Sequence, residues 1–246
     1  MSAPANTNET PYLDLTKFVP AAALDELDRY LLEEGIGGAN NAAQWSAFLA
    51  DDSKHSECVE LCDKDTSSWP GLRCDAEEAF ATCRRRRGDA RTWRPNANGE
   101  RLPGVFDFVR ASPIFSSTGK IAILKNERGC RGVEHVDHRL PDLVSEFVWV
   151  RPAWSTKQFF VKDACLRTHV VPPSVRVLWF DDHLPHGIHP VDADAQVSIR
   201  VDGVFRPLFR EYVCRFGMFG DVGFDGVSLA AVLWAQAPPP EDDDDG

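Results

Sequence analysis

The chain has 246 residues, 43% of them hydrophobic and 26% charged, which is enough to build one or two cores and rules out a wholly disordered chain. The formal net charge is −11, but Glu241 to Asp245 supply nearly half of it, and without them 27 basic residues face 33 acidic ones. General nucleic-acid binding through an overall basic surface is disfavoured, and no run approaches the roughly 20 apolar residues of a membrane span.

The first ten residues, MSAPANTNET, are polar and lack the pattern of a signal or transit peptide. With an odd count of seven cysteines, this predicts a reducing, cytoplasmic setting and free thiols. Residues 20–35 predict a helix. Pro20 suits its first turn, Leu24, Leu27 and Leu31 share a face, and Gly35 suits its end. A second helical pattern runs over 41–63, where Cys58 and Cys62 would lie one turn apart. Residues 64–75 read as a loop and 76–86 as a short helix, and the arginines at 84–87 fit a solvated helix end. The spacing of Cys58, Cys62, Cys74 and Cys83 matches no strong zinc pattern.

The texture changes at about residue 103. GVFDFVRA, KIAILKNE, LVSEFVWVRP, KQFFVKD, VRVLWFDD and QVSIRVDGVF are short runs rich in β-branched and aromatic residues, separated by turn formers. They predict an all-β sandwich or barrel rather than a parallel α/β sheet. Residues 206–219 read as a closing helix or strand. The expected organisation is an N-terminal helical flanking region over 1–102, a β core over 103–220, and a C-terminal segment with a disordered acidic tail over 221–246, together forming one integrated domain.

The chemistry concentrates between Gly132 and Phe205. His135 and Asp137 are two residues apart, so on a strand they point to the same face. An imidazole and a carboxylate so placed grip one metal side by side. A distant third ligand would complete the two-His, one-carboxylate triad of non-haem Fe(II) oxygenases. The same spacing recurs in His55-Ser56-Glu57, but it is His135 and Asp137 that a His-rich turn follows at a plausible distance. After His135 comes the turn holding His183, His186 and His189, then a strand on which Gln196, Ser198, Arg200 and Asp202 share one face and Val197, Ile199 and Val201 the other. An inward Arg with a Ser two residues before it is suited to a carboxylate.

His135-x-Asp137, the His in HLPHGIHP and Arg200 in SIRVDG together resemble the Fe(II)- and 2-oxoglutarate-dependent dioxygenases, over about residues 103–210. The resemblance implies a mainly β fold with flanking α-helices around a double-stranded β-helix, or jelly-roll, core. It also implies Fe(II), 2-oxoglutarate and O2, with hydroxylation of an unactivated C–H bond releasing succinate and CO2. By the same resemblance, His135, Asp137 and a distal His bind iron, and Arg200 with Ser198 takes the far carboxylate of 2-oxoglutarate. His186, followed by Gly187 and then Pro190, fits the family pattern for the distal ligand, and His189 is the other candidate. Asn126 offers a side-chain hydrogen bond to 2-oxoglutarate or substrate, or else serves as a turn residue. Trp149, Phe160 and Trp179 read mainly as core, and Asp181 and Asp182 as turn residues or partners of ligand imidazoles. The substrate is expected to be a small molecule or a peptide. Two other readings stay open: a cupin-type metalloenzyme without 2-oxoglutarate, and a non-catalytic jelly-roll binding module.

Overall fold

The computed structural model describes residues 11–37, 58–64, 93–126, 132–136, 146–182, 184–193 and 196–213. Expectations for the N-terminal arm, the helical pattern over 41–57, the loop and short helix over 65–86 with its arginine run, Cys74, Cys83, Cys130, Cys214, His55, Asp137, His183, residues 214–219 and the acidic tail lie outside these residues.

Strands β1 (Tyr12–Asp14), β2 (Cys58–Glu60), β3 (Cys62–Lys64) and β4 (Trp93–Pro95) precede the main β region. That region holds β5 (Phe115–Asn126), β6 (Gly132–His135), β7 (Phe147–Val150), β8 (Phe159–Lys162), β9 (Thr168–Val170), β10 (Val177–Phe180), β11 (His186–Ile188) and β12 (Gln196–Phe205). Helices are α1 (Ala21–Glu33), α2 (Ala97–Arg101), α3 (Pro103–Ala111) and α4 (Pro207–Val213).

A six-stranded sheet runs β1-β10-β7-β12-β5-β2 and a four-stranded sheet β6-β11-β8-β9, with antiparallel pairing in both. From β5 onward the chain alternates between them: β5 large, β6 small, β7 large, β8 and β9 small, β10 large, β11 small, β12 large. This alternation makes the double-stranded β-helix, and the fold is mainly β with flanking helices. The jelly roll has two inner faces, and what they carry decides whether the space between the sheets is core or site.

The outer face of the large sheet is the apolar one. Val148, Val150, Val177 and Val201 from the sheet and Val19, Phe108 and Val109 from the helical side line one small cavity. The stripe Leu24, Leu27 and Leu31 of α1 is buried, as the spacing predicts. The helix ends at Gly35, whose φ of 74° lies in the left-handed region that costs glycine least. Each fully buried Val, Leu or Ile contributes about 1.5–3 kcal/mol relative to exposure, so this face anchors the fold. Arg176, beside β10, ties α1 down through Asp28 at 2.7 Å and the Leu24 carbonyl at 3.0 Å.

Two segments differ from the sequence expectation. Residues 58–60 and 62–64 are strands, not the end of a helix. Val59 pairs with Ile123 and Cys62 with Pro95, so ladder bonds to β5 and β4 override a local helical pattern. Cys58 and Cys62 therefore sit on successive strands, and both thiols are free. Conversely, GVFDFVRA is helix α3 rather than a strand. Pro103 opens it, and Val105, Phe108 and Val109 fall at helical spacing on its buried face. Residues 207–213 close the described fold as a helix. Among the described residues no helix is long and apolar enough to cross a membrane.

Candidate metal and anion site

His186 opens β11 and lies directly opposite His135 of β6 on one side and Val161 of β8 on the other. Directly opposed residues of an antiparallel pair project to the same face. The two imidazoles meet with ring centroids 4.5 Å apart and planes tilted by 56°. The neighbouring residue Glu134 instead pairs with Lys162, at 2.8 Å, on the opposite face. His186 faces the large sheet: its ring lies 4.7 Å from that of Phe180, which meets Phe147 at 5.1 Å. His186 is buried to 6% exposure while His135 is exposed, so the pair sits at a mouth of the jelly roll.

His186 Nδ1 lies 2.9 Å from the Leu184 carbonyl oxygen. A carbonyl only accepts, so this bond puts the proton on Nδ1 and leaves Nε2 as the ring's lone-pair nitrogen. That is the usual way a backbone partner orients a metal-binding imidazole. His189 is placed differently. Three residues past His186, it stacks on Phe160 at 4.7 Å, and Phe160 pairs with Gly187, on the face away from His186. The structure therefore brings His186, not His189, beside His135. His169 is engaged by Asp163 at 3.0 Å, well along the β8–β9 hairpin.

The opposite wall is built by β12, β5 and β7. The alternation read from QVSIRVDGVF holds. Val197, Ile199 and Val201 belong to the apolar core, and Gln196, Ser198, Arg200 and Asp202 point inward. Gln196, Ser198 and Asp202 are nonetheless buried, so this polar face is closed off from bulk water. Arg200 turns Nε and Nη2 onto the Asp202 carboxylate at 3.1–3.3 Å and lays its guanidinium 4.4 Å over the Phe147 ring. Asn126 ends β5 opposite Gln196 and is 3% exposed. Its Oδ1 is buried without a hydrogen-bond partner, as is the indole Nε1 of Trp149, the residue opposite Arg200. Buried polar atoms are nearly always satisfied in native proteins. Unpartnered atoms on this inner wall are compatible with a polar ligand.

A further residue of this wall is not apparent from motif spacing. Lys157 is 1% exposed. Its Nζ donates to Ser198 Oγ at 2.8 Å and to the Leu124 carbonyl at 3.2 Å, and lies about equally far from the Trp149 and Phe159 rings, at 5.5 and 5.4 Å. The signal that finds it is the strand period. Val161 opposes His186 on the inner face, Phe159 is two residues earlier, and Lys157 two before that. Trp179, by contrast, is buried in the core cluster on the outer side of β10. Asp182 is buried and Asp181 partly so.

The two imidazoles suit a divalent transition metal, and the polar inner wall suits an anionic chelator. Among the described residues no group of three metal-ligating side chains occurs. Asp137, the expected third ligand, lies just past the last described residue of that strand.

No protein-family model and no curated protein matches the chain. Solved structures similar to it include a Pseudomonas putida prolyl-4-hydroxylase, at 13% identity and TM-score 0.38 over 80% of this chain and 93% of that one. An oxidoreductase of the 2OG-Fe(II) oxygenase family from Burkholderia pseudomallei gives 15% identity and TM-score 0.34 over 76% and 94%. A Trichoplax adhaerens prolyl hydroxylase in complex with a hypoxia inducible factor oxygen degradation domain peptide fragment gives 12% and 0.39 over 83% and 88%. At such TM-scores none of these likenesses bears on the chemistry, which rests on the chain's own residues.

Proposed function

We propose that this chain is a non-haem Fe(II) oxygenase that uses 2-oxoglutarate and O2 to hydroxylate an unactivated C–H bond, releasing succinate and CO2. The observation that carries the proposal is the side-by-side pair of His135 and His186 at the mouth of a jelly roll whose facing wall is polar yet buried. In this reading His135, His186 and Asp137 hold the iron. Asp137 follows His135 by two residues, the spacing at which a strand presents both side chains on one face. Fe(II) with 2-oxoglutarate supplies the O2 activation that protein side chains lack.

The chain's own residues do the rest. The Leu184 carbonyl fixes the His186 ring by holding the Nδ1 proton, so Nε2 is presented without a tautomer change. Phe147, Phe180, Trp149 and Phe159 exclude water from the space behind the histidines. Arg200, Ser198 and Asn126 line the wall that faces the far end of the co-substrate. The buried indole N–H of Trp149 gains an acceptor when that carboxylate is seated. Exposed His135 and Val136 put the open side of the site where a small molecule or an extended peptide reaches it.

The test is conversion of 2-oxoglutarate to succinate by the Fe(II)-loaded protein, with and without substrate pools. Turnover in the wild type, and its loss by at least about 100-fold in Asp137→Ala, is the expected result. Unchanged succinate release in that variant would sink the ligand assignment. Metal binding without a 2-oxoglutarate charge-transfer band would favour the cupin-type reading.

A further inference from the structure

The inner face of the small sheet carries more than the histidine pair. His186 opposes Val161, and Val161 in turn opposes His169 of β9, so the three residues form one row that projects to one face. Residues of the opposite phase point the other way. Lys162 is paired with Glu134, Phe160 stacks on His189, and Val170 is 49% exposed. His169 stands two strands from His186, about 10 Å away at the ordinary strand spacing, with buried Val161 between them. It does not join the histidine pair as a ligand, since among the described residues no three metal-ligating side chains come together.

The ring of His169 is held by a carboxylate. Asp163, two residues past Val161, meets His169 Nε2 through Oδ2 at 3.0 Å. The same carboxylate accepts from the backbone N–H groups of Cys165 and Arg167 through Oδ1, both at 2.9 Å, and from Arg167 Nε through Oδ2 at 2.7 Å. The hydrogen bond from His169, followed by those from Arg167 and Cys165, holds Asp163 well below the usual carboxylate range. An ionised carboxylate only accepts, so the imidazole proton sits on Nε2 and Nδ1 keeps the lone pair. His186 has the reverse arrangement, with its proton on Nδ1. The dyad is largely shielded, with 21% of the His169 side chain and 16% of that of Asp163 exposed. Arg167, on the same carboxylate, balances its charge.

A row that runs from the histidine pair, across an apolar valine, to an acceptor nitrogen suits a substrate with its reactive carbon at one end and a hydrogen-bond donor at the other. Resting on the function proposed above, we infer that His169 is a specificity-determining residue whose Nδ1 accepts a hydrogen bond from a neutral N–H or O–H group of the substrate. Asp163 is the positioning residue that keeps the ring in this tautomer. Because Arg167 and Asp163 offset each other at this rim, neither an anionic nor a cationic head group is favoured over a neutral one. Val161 gives the intervening chain an apolar floor.

The test is the rate of succinate formation from 2-oxoglutarate by the Fe(II)-loaded protein, above its rate without substrate, for probes that share one alkyl chain: pentanamide, pentanol, methyl pentyl ether, pentanoate and pentylamine. Pentanamide and pentanol should stimulate the wild type about fivefold more than methyl pentyl ether, the worth of one hydrogen bond, and more than either charged probe. His169→Phe should bring the amide, the alcohol and the ether to within about twofold of one another while leaving the calorimetric affinity for 2-oxoglutarate unchanged. His169→Val gives the same readout should His169→Phe not fold. His169→Gln, whose amide oxygen accepts, should keep part of the preference. Asp163→Asn should lower it, because an amide can donate to Nε2 and so leave the proton on Nδ1. Stimulation by none of the probes, stimulation by a charged probe as strong as by the neutral donors, or a preference that survives in His169→Phe or His169→Val overturns the inference while the proposed function stands. A wild type that forms no succinate at all overturns both.

Discussion

Strand β12 sends Val197, Ile199 and Val201 to one side and Ser198, Arg200 and Asp202 to the other, and nearly all of both sets is shielded from solvent. On the helical side, apolar surface meets apolar surface, and burial is itself the stabilising term. On the inner side, burial costs free energy that hydrogen bonds and an ion pair must offset, and polar atoms of this wall, Asn126 Oδ1 and Trp149 Nε1 among them, remain unmet. A strand whose two faces are equally buried but differently satisfied has one face for folding and the other for a ligand. Burial alone does not distinguish core from site; the partners of the buried atoms do.

Substitutions on the two sides should separate along the same line. His186→Ala, on the inner side, should abolish iron-dependent succinate formation, a loss of at least about 100-fold. Its unfolding free energy in urea should fall by about 1 kcal/mol, the net worth of a hydrogen bond such as that of Nδ1 to the Leu184 carbonyl. Should the variant unfold instead, the histidine belongs to the core and the contrast between the faces collapses. Ile199→Ala, on the helical side, should cost about 3 kcal/mol in urea unfolding, while turnover per folded molecule stays near wild type. A large activity loss in the protein that remains folded would show that the outer face also shapes the site.

The smallest effect concerns Cys62, on neither face of β12. Burial pushes its thiol up to about 11, and Cys58 also rises. A folded-state value raised above the thiol's ordinary 9.0 means that its contribution is fully present below about pH 9. It is lost as pH climbs from there towards 11. Thermal midpoints measured across that window should fall in the wild type and fall less steeply in Cys62→Ala. Identical slopes would place the alkaline loss on the other ionising groups instead.

Several parts of this molecule were legible as pattern. The alternation in QVSIRVDGVF assigned both faces of β12, and the leucine spacing assigned α1. The phase of His135 and the Gly that follows His186 pointed to a histidine pair that the fold does bring together. Other parts were not. Val59 and Leu61 fit a helical pattern until a partner strand is supplied, and the β5 ladder supplies it. In GVFDFVRA, composition favoured a strand, but Pro103 and the spacing of its apolar residues suit a helix laid on the sheet. Lys157 carried no motif. A lysine before a strand reads as a solvated charge, and only continuation of the inward phase from Val161 through Phe159 would have picked it out.

The sequence by itself determined which residues share a face, because side-chain direction follows from a strand period of two and a helix period of 3.6. It also determined the order in which imidazole, carboxylate and cationic groups are delivered along the chain. Only the tertiary structure decided what each face looks upon. Whether the polar side of β12 meets water or is buried depends on a second sheet packing over it. The same closure sets His186 beside His135, turns His189 away and folds Lys157 inward. Those outcomes come from contacts between residues far apart in the chain, which no local period encodes.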